Sequence, residues 1–178
     1  ENESTTRVVQ IAQSTLSFHH IGDYGGWDAF FPAWKEILER YRSIRDVTAL
    51  TRVGLRYVNH IVIPGGPVQL EDYLGCYPAI PEPPGCEGLR DVDMRSQLVF
   101  NDPMMVLGVR LKSDIHEAQR IAFILDLDAF VVNPDLVPTV DGSYDWLDAA
   151  HGKVVQFFDM STTDAAKALW MDPEERAQ

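Results

Sequence analysis

Between residues 7 and 21 apolar and polar positions alternate twice, first through Val9 and Ile11 and then through Leu16, Phe18 and His20. A period of two marks half-buried strands, and the break at Gln13-Ser14 predicts a hairpin, although neither residue is a strong turn former. Gly22-Asp23-Tyr24-Gly25-Gly26 punctuates the chain, and apolar residues then recur at helical spacing through Trp27, Phe30, Phe31, Trp34, Ile37, Leu38 and Tyr41. Proline is tolerated in the first turn of a helix, so Pro32 places the helix start near Asp28, whose carboxylate also suits the positive end of the helix dipole.

The period returns to two over residues 51–63, where Val53, Leu55, Tyr57, Ile61 and Ile63 face one way and Arg52, Arg56 and His60 the other. This is the pattern of a long strand with one buried face. Pro64-Gly65-Gly66-Pro67 ends it, a short amphipathic piece covers 68–74, and 78–88 is a proline-rich loop too poor in backbone donors for a central strand. Further strands are expected at about 89–100, 104–113 and 120–132, with turns at Asn101-Asp102-Pro103 and at 114–117. The short connections make them antiparallel neighbours. Ser143 is the expected N-cap of a helix bearing Trp146, Leu147, Ala150, Val154, Phe157 and Phe158, and Thr162 or Thr163 starts another that ends near Met171. No repeat or dividing linker interrupts the chain. The expected fold class is α+β, a mainly antiparallel sheet with helices packed on one face, in a single domain over residues 1–178.

Composition supports a folded chain. At 178 residues it is long enough to bury about two thirds of its unfolded surface without disulfides or metals, and its 46% hydrophobic and 24% charged content is that of ordinary globular proteins. Twenty-seven acidic against 15 basic side chains give a formal charge of -12, which repels phosphate backbones, so neither nucleic acid nor an anionic membrane is expected as a partner. No apolar run approaches the roughly 20 residues needed to span a bilayer. The chain begins Glu1-Asn2-Glu3, without an initiator Met or an apolar signal segment, and is expected to be a processed form or a fragment. Cys76 and Cys86 bracket the proline-rich loop; a bridge across it is geometrically allowed, but reduced thiols are expected.

Placed by parity, Val53, Leu55, Val92, Met94, Leu98, Leu107, Val109, Ile121, Phe123, Leu125 and Leu127 share the helix side of the sheet. Arg52, Arg56, His60, Asp91, Asp93, Arg95, Gln97, Arg110, Lys112, Arg120, Asp126 and Asp128 share the other. In one reading these charges are cross-strand ion pairs on a wet face, each contributing about 0.2–1 kcal/mol and selecting register. In the other, Asp91, Asp93, Asp126 and Asp128 hold a hard cation while Arg52, Arg56, His60 and Arg110 hold a ligand. Asn59 and Tyr57 lie at apolar parity and need hydrogen-bond partners, which makes them packing determinants. His19 and His20 are adjacent on a strand and point to opposite faces, so they do not ligate one metal; His151 beside the apolar helix stripe reads as a satisfied core residue. Cys76 and Cys86 lack Cys-x-x-Cys spacing. No nucleotide-binding glycine loop, zinc-protease motif or nucleophile elbow is present. No catalytic residue and no cofactor is assigned.

The stretch Arg52-Val53-Gly54-Leu55-Arg56-Tyr57-Val58-Asn59-His60-Ile61 resembles a sporadically distributed bacterial family of unknown function, with a strand of the form Arg-x-Gly-Leu-Arg-Tyr-x-Asn-x-Ile. The resemblance extends to Val8-Val9-Gln10-Ile11, the aromatic helix after Tyr24, Ile124-Leu125-Asp126-Leu127-Asp128, and Trp146-Leu147-Asp148-x-x-His151 before Phe157-Phe158. Such proteins usually have a further strand and helix before the equivalent of Arg7, so the resemblance implies a truncated or naturally short form with an exposed sheet edge. It implies a bacterial cytoplasmic setting and no catalytic residue. The leading expectation is a non-enzymatic binding or regulatory module that docks a protein partner or itself, with strand pairing at Val8 to Ile11 as one route to a homodimer. The alternatives are a metal-assisted enzyme on a phosphorylated small molecule and a carrier with an apolar cavity between sheet and C-terminal helix.

Overall fold

The computed structural model describes residues 6–22, 24–63, 70–81, 83–86, 91–114 and 121–170. Internal contacts divide the chain into two compact units, Glu1–Ala49 and Leu50–Gln178. The fold is α+β, and among the described residues it has two antiparallel sheets, of two and four strands.

In the first unit, β1 (Thr6–Ile11) and β2 (Leu16–Ile21) pair from Thr6 opposite Ile21 to Ile11 opposite Leu16. The Ala12 N–H closes the turn on the Thr15 carbonyl at 2.9 Å. Helix α1 (Trp27–Ile44) follows Gly26, whose φ of 85° is cheap only for glycine. The helix starts at Trp27, beside the expected Asp28, and Pro32, its sixth residue, lies past the first turn, where its missing N–H leaves one helical bond unmade. Aromatic packing offsets that loss within the unit: Phe18 stacks on Phe30 at 4.9 Å and Trp27 on Phe31 at 4.6 Å, with the Lys35 ammonium 4.2 Å from the Phe31 ring.

In the second unit, β3 (Val53–Ile63), β4 (Asp93–Asn101), β5 (Met104–Ser113) and β6 (Ile121–Val131) form an antiparallel sheet in the order β3-β6-β5-β4. Its inner face carries the core: Val53, Leu55, Ile61 and Ile63 from β3, Met105, Leu107, Val109 and Leu111 from β5, and Phe123, Leu125, Leu127 and Ala129 from β6 are all buried. Helix α2 (Gly142–Ser161) packs over β3 and β6 and adds Trp146, Leu147, Ala150 and Val154. The Trp146 indole N–H donates to the Met104 carbonyl at 3.2 Å, which ties the helix to the sheet.

Ser143 is not the helix cap. The helix begins at Gly142, Ser143 lies buried in its first turn, and its hydroxyl donates back to the Val140 carbonyl at 2.6 Å. Thr163 does cap α3 (Asp164–Lys167), accepting the Ala166 N–H at 3.3 Å. A bridge between Leu74 and Thr162 docks the segment after a 3-10 turn (Leu70–Asp72) onto the end of α2. A Cβ at Gly75 would collide with the Met160 carbonyl oxygen, so this close approach requires glycine. The 64–67 turn, the strand start at 89, the turn residues 115–117, Arg120 and the helix end at Met171 lie outside the described residues.

Candidate functional site: the outer face of the four-stranded sheet

Alternation along each strand sends every second side chain to the face opposite α2. The register across β3, β6, β5 and β4 arranges those residues in rows. His60, Ile124, Lys112 and Asp93 form one; Val58, Asp126, Arg110 and Arg95 the next; then Arg56, Asp128, Gly108 and Gln97; then Gly54, Phe130, Val106 and Val99. For the described strand residues the expected division of inner and outer side chains is the one the sheet adopts, while the side chains of Arg120 and Ile121 lie outside the described residues.

The charges on this face are tightly engaged with one another. Arg56 makes a two-pronged contact with Asp126, Nε to Oδ1 at 2.8 Å and Nη2 to Oδ2 at 2.6 Å, although its direct cross-strand neighbour is Asp128. Asp128 accepts instead from Arg52, at 3.1 and 3.2 Å, and the Arg52 guanidinium also lies 4.6 Å from the Phe130 ring. Arg110 grips Asp93 through Nε at 2.9 Å and Nη2 at 2.8 Å, with Arg95 at 3.7 Å from the same carboxylate. The Arg110 contact, more than Arg95, holds the Asp93 carboxyl down at a pKa of about 2, and the same bond raises Arg110. The hydrogen bond to Asp126 raises Arg56. His60 sits 3.1 Å from Asp114, at the end of β5.

Of the four aspartates in the expected cation site, Asp126 and Asp128 therefore share the face with Asp93, and Asp91 lies just before β4. Strand β5 separates Asp93 from the other two, which at about 4.8 Å per strand is about 10 Å. Among the described residues no three His, Cys, Asp or Glu side chains come together to hold a metal.

Between the pairs lies a shallow open depression of about 460 Å³ lined by Arg95, Ser96, Gln97, Gly108, Val109, Arg110, Asp126 and Asp128. Gly108 creates it: with no side chain in the third row, the backbone of β5 forms the floor between Asp128 and Gln97. The same face is apolar in places, since Val58, opposite Asp126, is 60% exposed and Val99, two residues after Gln97, is 74% exposed. Sequence reasoning missed Gly108, Asp114, Phe130 and these valines as members of the face. A glycine inside an otherwise bulky strand was the available signal for the opening.

On the inner face, the Tyr57 hydroxyl meets His151 Nδ1 at 3.1 Å and the Asn59 amide donates to the Leu125 carbonyl at 3.1 Å, both half-buried. These are the partners that their apolar parity demanded. Cys76 and Cys86 are not bridged, and burial pushes the Cys76 thiol pKa up. Ile61, Leu107, Leu111, Leu125 and Leu127 on the inner face and Val154 on α2 are fully buried. Among the described residues no helix is long and apolar enough to cross a membrane. Compared with protein families, with curated proteins and with solved structures, the chain matches none.

Proposed function

We propose that the chain is a cytoplasmic, non-enzymatic binding module that docks a protein, either a partner or a second copy, on the outer face of its four-stranded sheet. The observation that carries this reading is the way the arginines are held. Arg56 and Arg110 each spend two N–H groups on a carboxylate of the same sheet, which fixes the guanidinium and leaves its remaining donors for carbonyl and carboxylate groups of a partner. A side chain already ordered loses less entropy on binding than a free one, where each immobilised long side chain costs about 0.5–1.5 kcal/mol. Fixed arginines beside exposed Val58 and Val99, around a wide floor rather than an enclosed cavity, form the mixed polar and apolar surface that protein partners use.

The metal-assisted alternative loses its donors to these same contacts. A cation at Asp126 and Asp128 would have to compete with the positive charges of Arg56 and Arg52 for the same carboxylates. The reading is tested by capturing proteins on the immobilised chain and quantifying the same captured protein on Arg56→Glu and Arg95→Glu variants. Loss of about tenfold or more on both, with unchanged circular dichroism, is expected for central contacts. Undiminished capture by both, or metal-dependent turnover abolished by Asp126→Asn, would overturn it.

A further inference from the structure

We propose that the edge of β4 pairs antiparallel with β4 of a second copy about a two-fold axis at Gln97, joining two four-stranded sheets into one of eight. This contact uses the strand edge and stands apart from the docking of a protein on the outer face, so either can fail without the other.

Three observations carry it. Strand β4 ends the sheet and pairs with β5 alone among the described residues; its nine residues contain no Pro, Gly or Lys, and its two charges, Asp93 and Arg95, sit at its N-terminal end on the outer face, leaving residues 96–101 without a charge. Edge strands exposed in solution are usually short or guarded by such residues, because a bare row of N–H and C=O groups templates further pairing. The inner face also stops being covered at this strand. Leu98 is 37% exposed while its direct neighbour Leu107 on β5 is 0%, and Met94 and Phe100, the other apolar inner residues of β4, are half-buried. An apolar strip of this kind at a sheet edge lacks only the continuation of the sheet and its core.

The third observation is that the strand is complementary to itself. Nine residues from Asp93 to Asn101 have Gln97 at their centre, so a two-fold there pairs all nine. An axis moved by one residue leaves two strand residues of each copy without a partner. An axis through a residue also keeps the inner faces of both copies on one side, as a shared core requires. In this register Met94 meets the partner's Phe100, and Phe100 the partner's Met94, on the inner side. On the outer side Arg95 lies against the partner's Val99, so no like charges face each other directly, an arrangement that would have been destabilising. The outer faces become continuous, which doubles the docking surface.

The test is Gln97→Cys, the position that meets its own copy. Directly opposed antiparallel residues lie about 4.5–5.5 Å apart between Cα atoms, inside the range a disulfide spans. Mild oxidation should give a dimer whose peptide map shows a disulfide joining the two substituted positions. Asp93→Cys, placed opposite the partner's Asn101, should give at least tenfold less of the corresponding self-link. Light scattering should find the unmodified chain dimeric at about 100 µM, with Leu98→Lys weakening the dimer at least tenfold. A monomeric unmodified chain, or self-links formed equally at both positions, would overturn the proposal. A monomer that still loses its captured protein on Arg56→Glu would overturn the dimer and leave the outer-face reading standing.

Discussion

The Arg56–Asp126 contact offers a quantitative check on whether the outer face is ordered as described. Two unit charges about 4 Å apart attract by about 4 kcal/mol at an effective dielectric of about 20. Two facts set how much of that survives. The Arg56 side chain is 60% exposed, so water screens it and competes for its donors, which pulls the value toward the 0.2–1 kcal/mol of surface pairs. Asp126 is only 15% exposed, so its carboxylate has given up most of its hydration and depends on the two bonds at 2.6 and 2.8 Å. A coupling of about 1–2 kcal/mol follows, within the range for hydrogen bonds to charged groups. The assay is a double-mutant cycle of Arg56→Met and Asp126→Ala by urea unfolding, where about 2 kcal/mol per molar of denaturant makes the coupling a shift of about 0.5–1 M. Arg56→Met alone should be the more damaging single change, because it strands a desolvated carboxylate. A coupling below about 0.3 kcal/mol, the usual error of additivity, would mean that the pair is not held and would refute the reasoning.

Three further outcomes are expected. Leu127→Ala empties a fully buried site at the centre of β6, between Tyr57 and Val109, and should cost about 2–5 kcal/mol in urea unfolding; a loss under about 1 kcal/mol would contradict the packing. Gly75→Ala should cost about 1–3 kcal/mol by driving a Cβ into the Met160 carbonyl, and a neutral result would show that the bridge at Leu74 and Thr162 is not this close. Asp93 titrates at about 2 in the folded chain against an ordinary 3.8, so the folded state binds its proton less readily than the unfolded state. Its stabilising contribution is then complete above about pH 4 and is lost as pH falls toward 2. Arg110→Gln should return its carboxyl midpoint, followed by NMR, toward 3.8, and an unchanged midpoint would assign the shift to something other than Arg110.

Side-chain parity was legible because it depends on residue order alone. The alternation over 51–63 places Arg56 and His60 outside and Ile61 and Ile63 inside, as the sheet has them. Register was not legible, because it depends on which strands meet and where. Nothing in the order of residues says that Arg56 reaches past Asp128 to Asp126, that Arg52, one residue before β3, takes Asp128, or that His60 finds Asp114 at the end of β5. The hairpin at Thr6–Ile21 was readable as two strands but not as a separate sheet, since period two identifies a strand and not its neighbours. The start of α1 was legible to within one residue, Trp27 against Asp28, whereas the cap of α2 was misjudged because the Ser143 side chain had a better option and bonds backward to Val140.

Radical footprinting of the chain with and without a protein it captures tests the docking face most directly, because exposed side chains on and off that face report separately. Val58, Val99 and Met104 project outward from β3, β4 and β5, whereas Met160 and Val155 are exposed on α2. Capture should protect Val58, Val99 and Met104 while Met160 and Val155 keep their labelling. Protection of the α2 residues with the three outer-face residues fully labelled would contradict it.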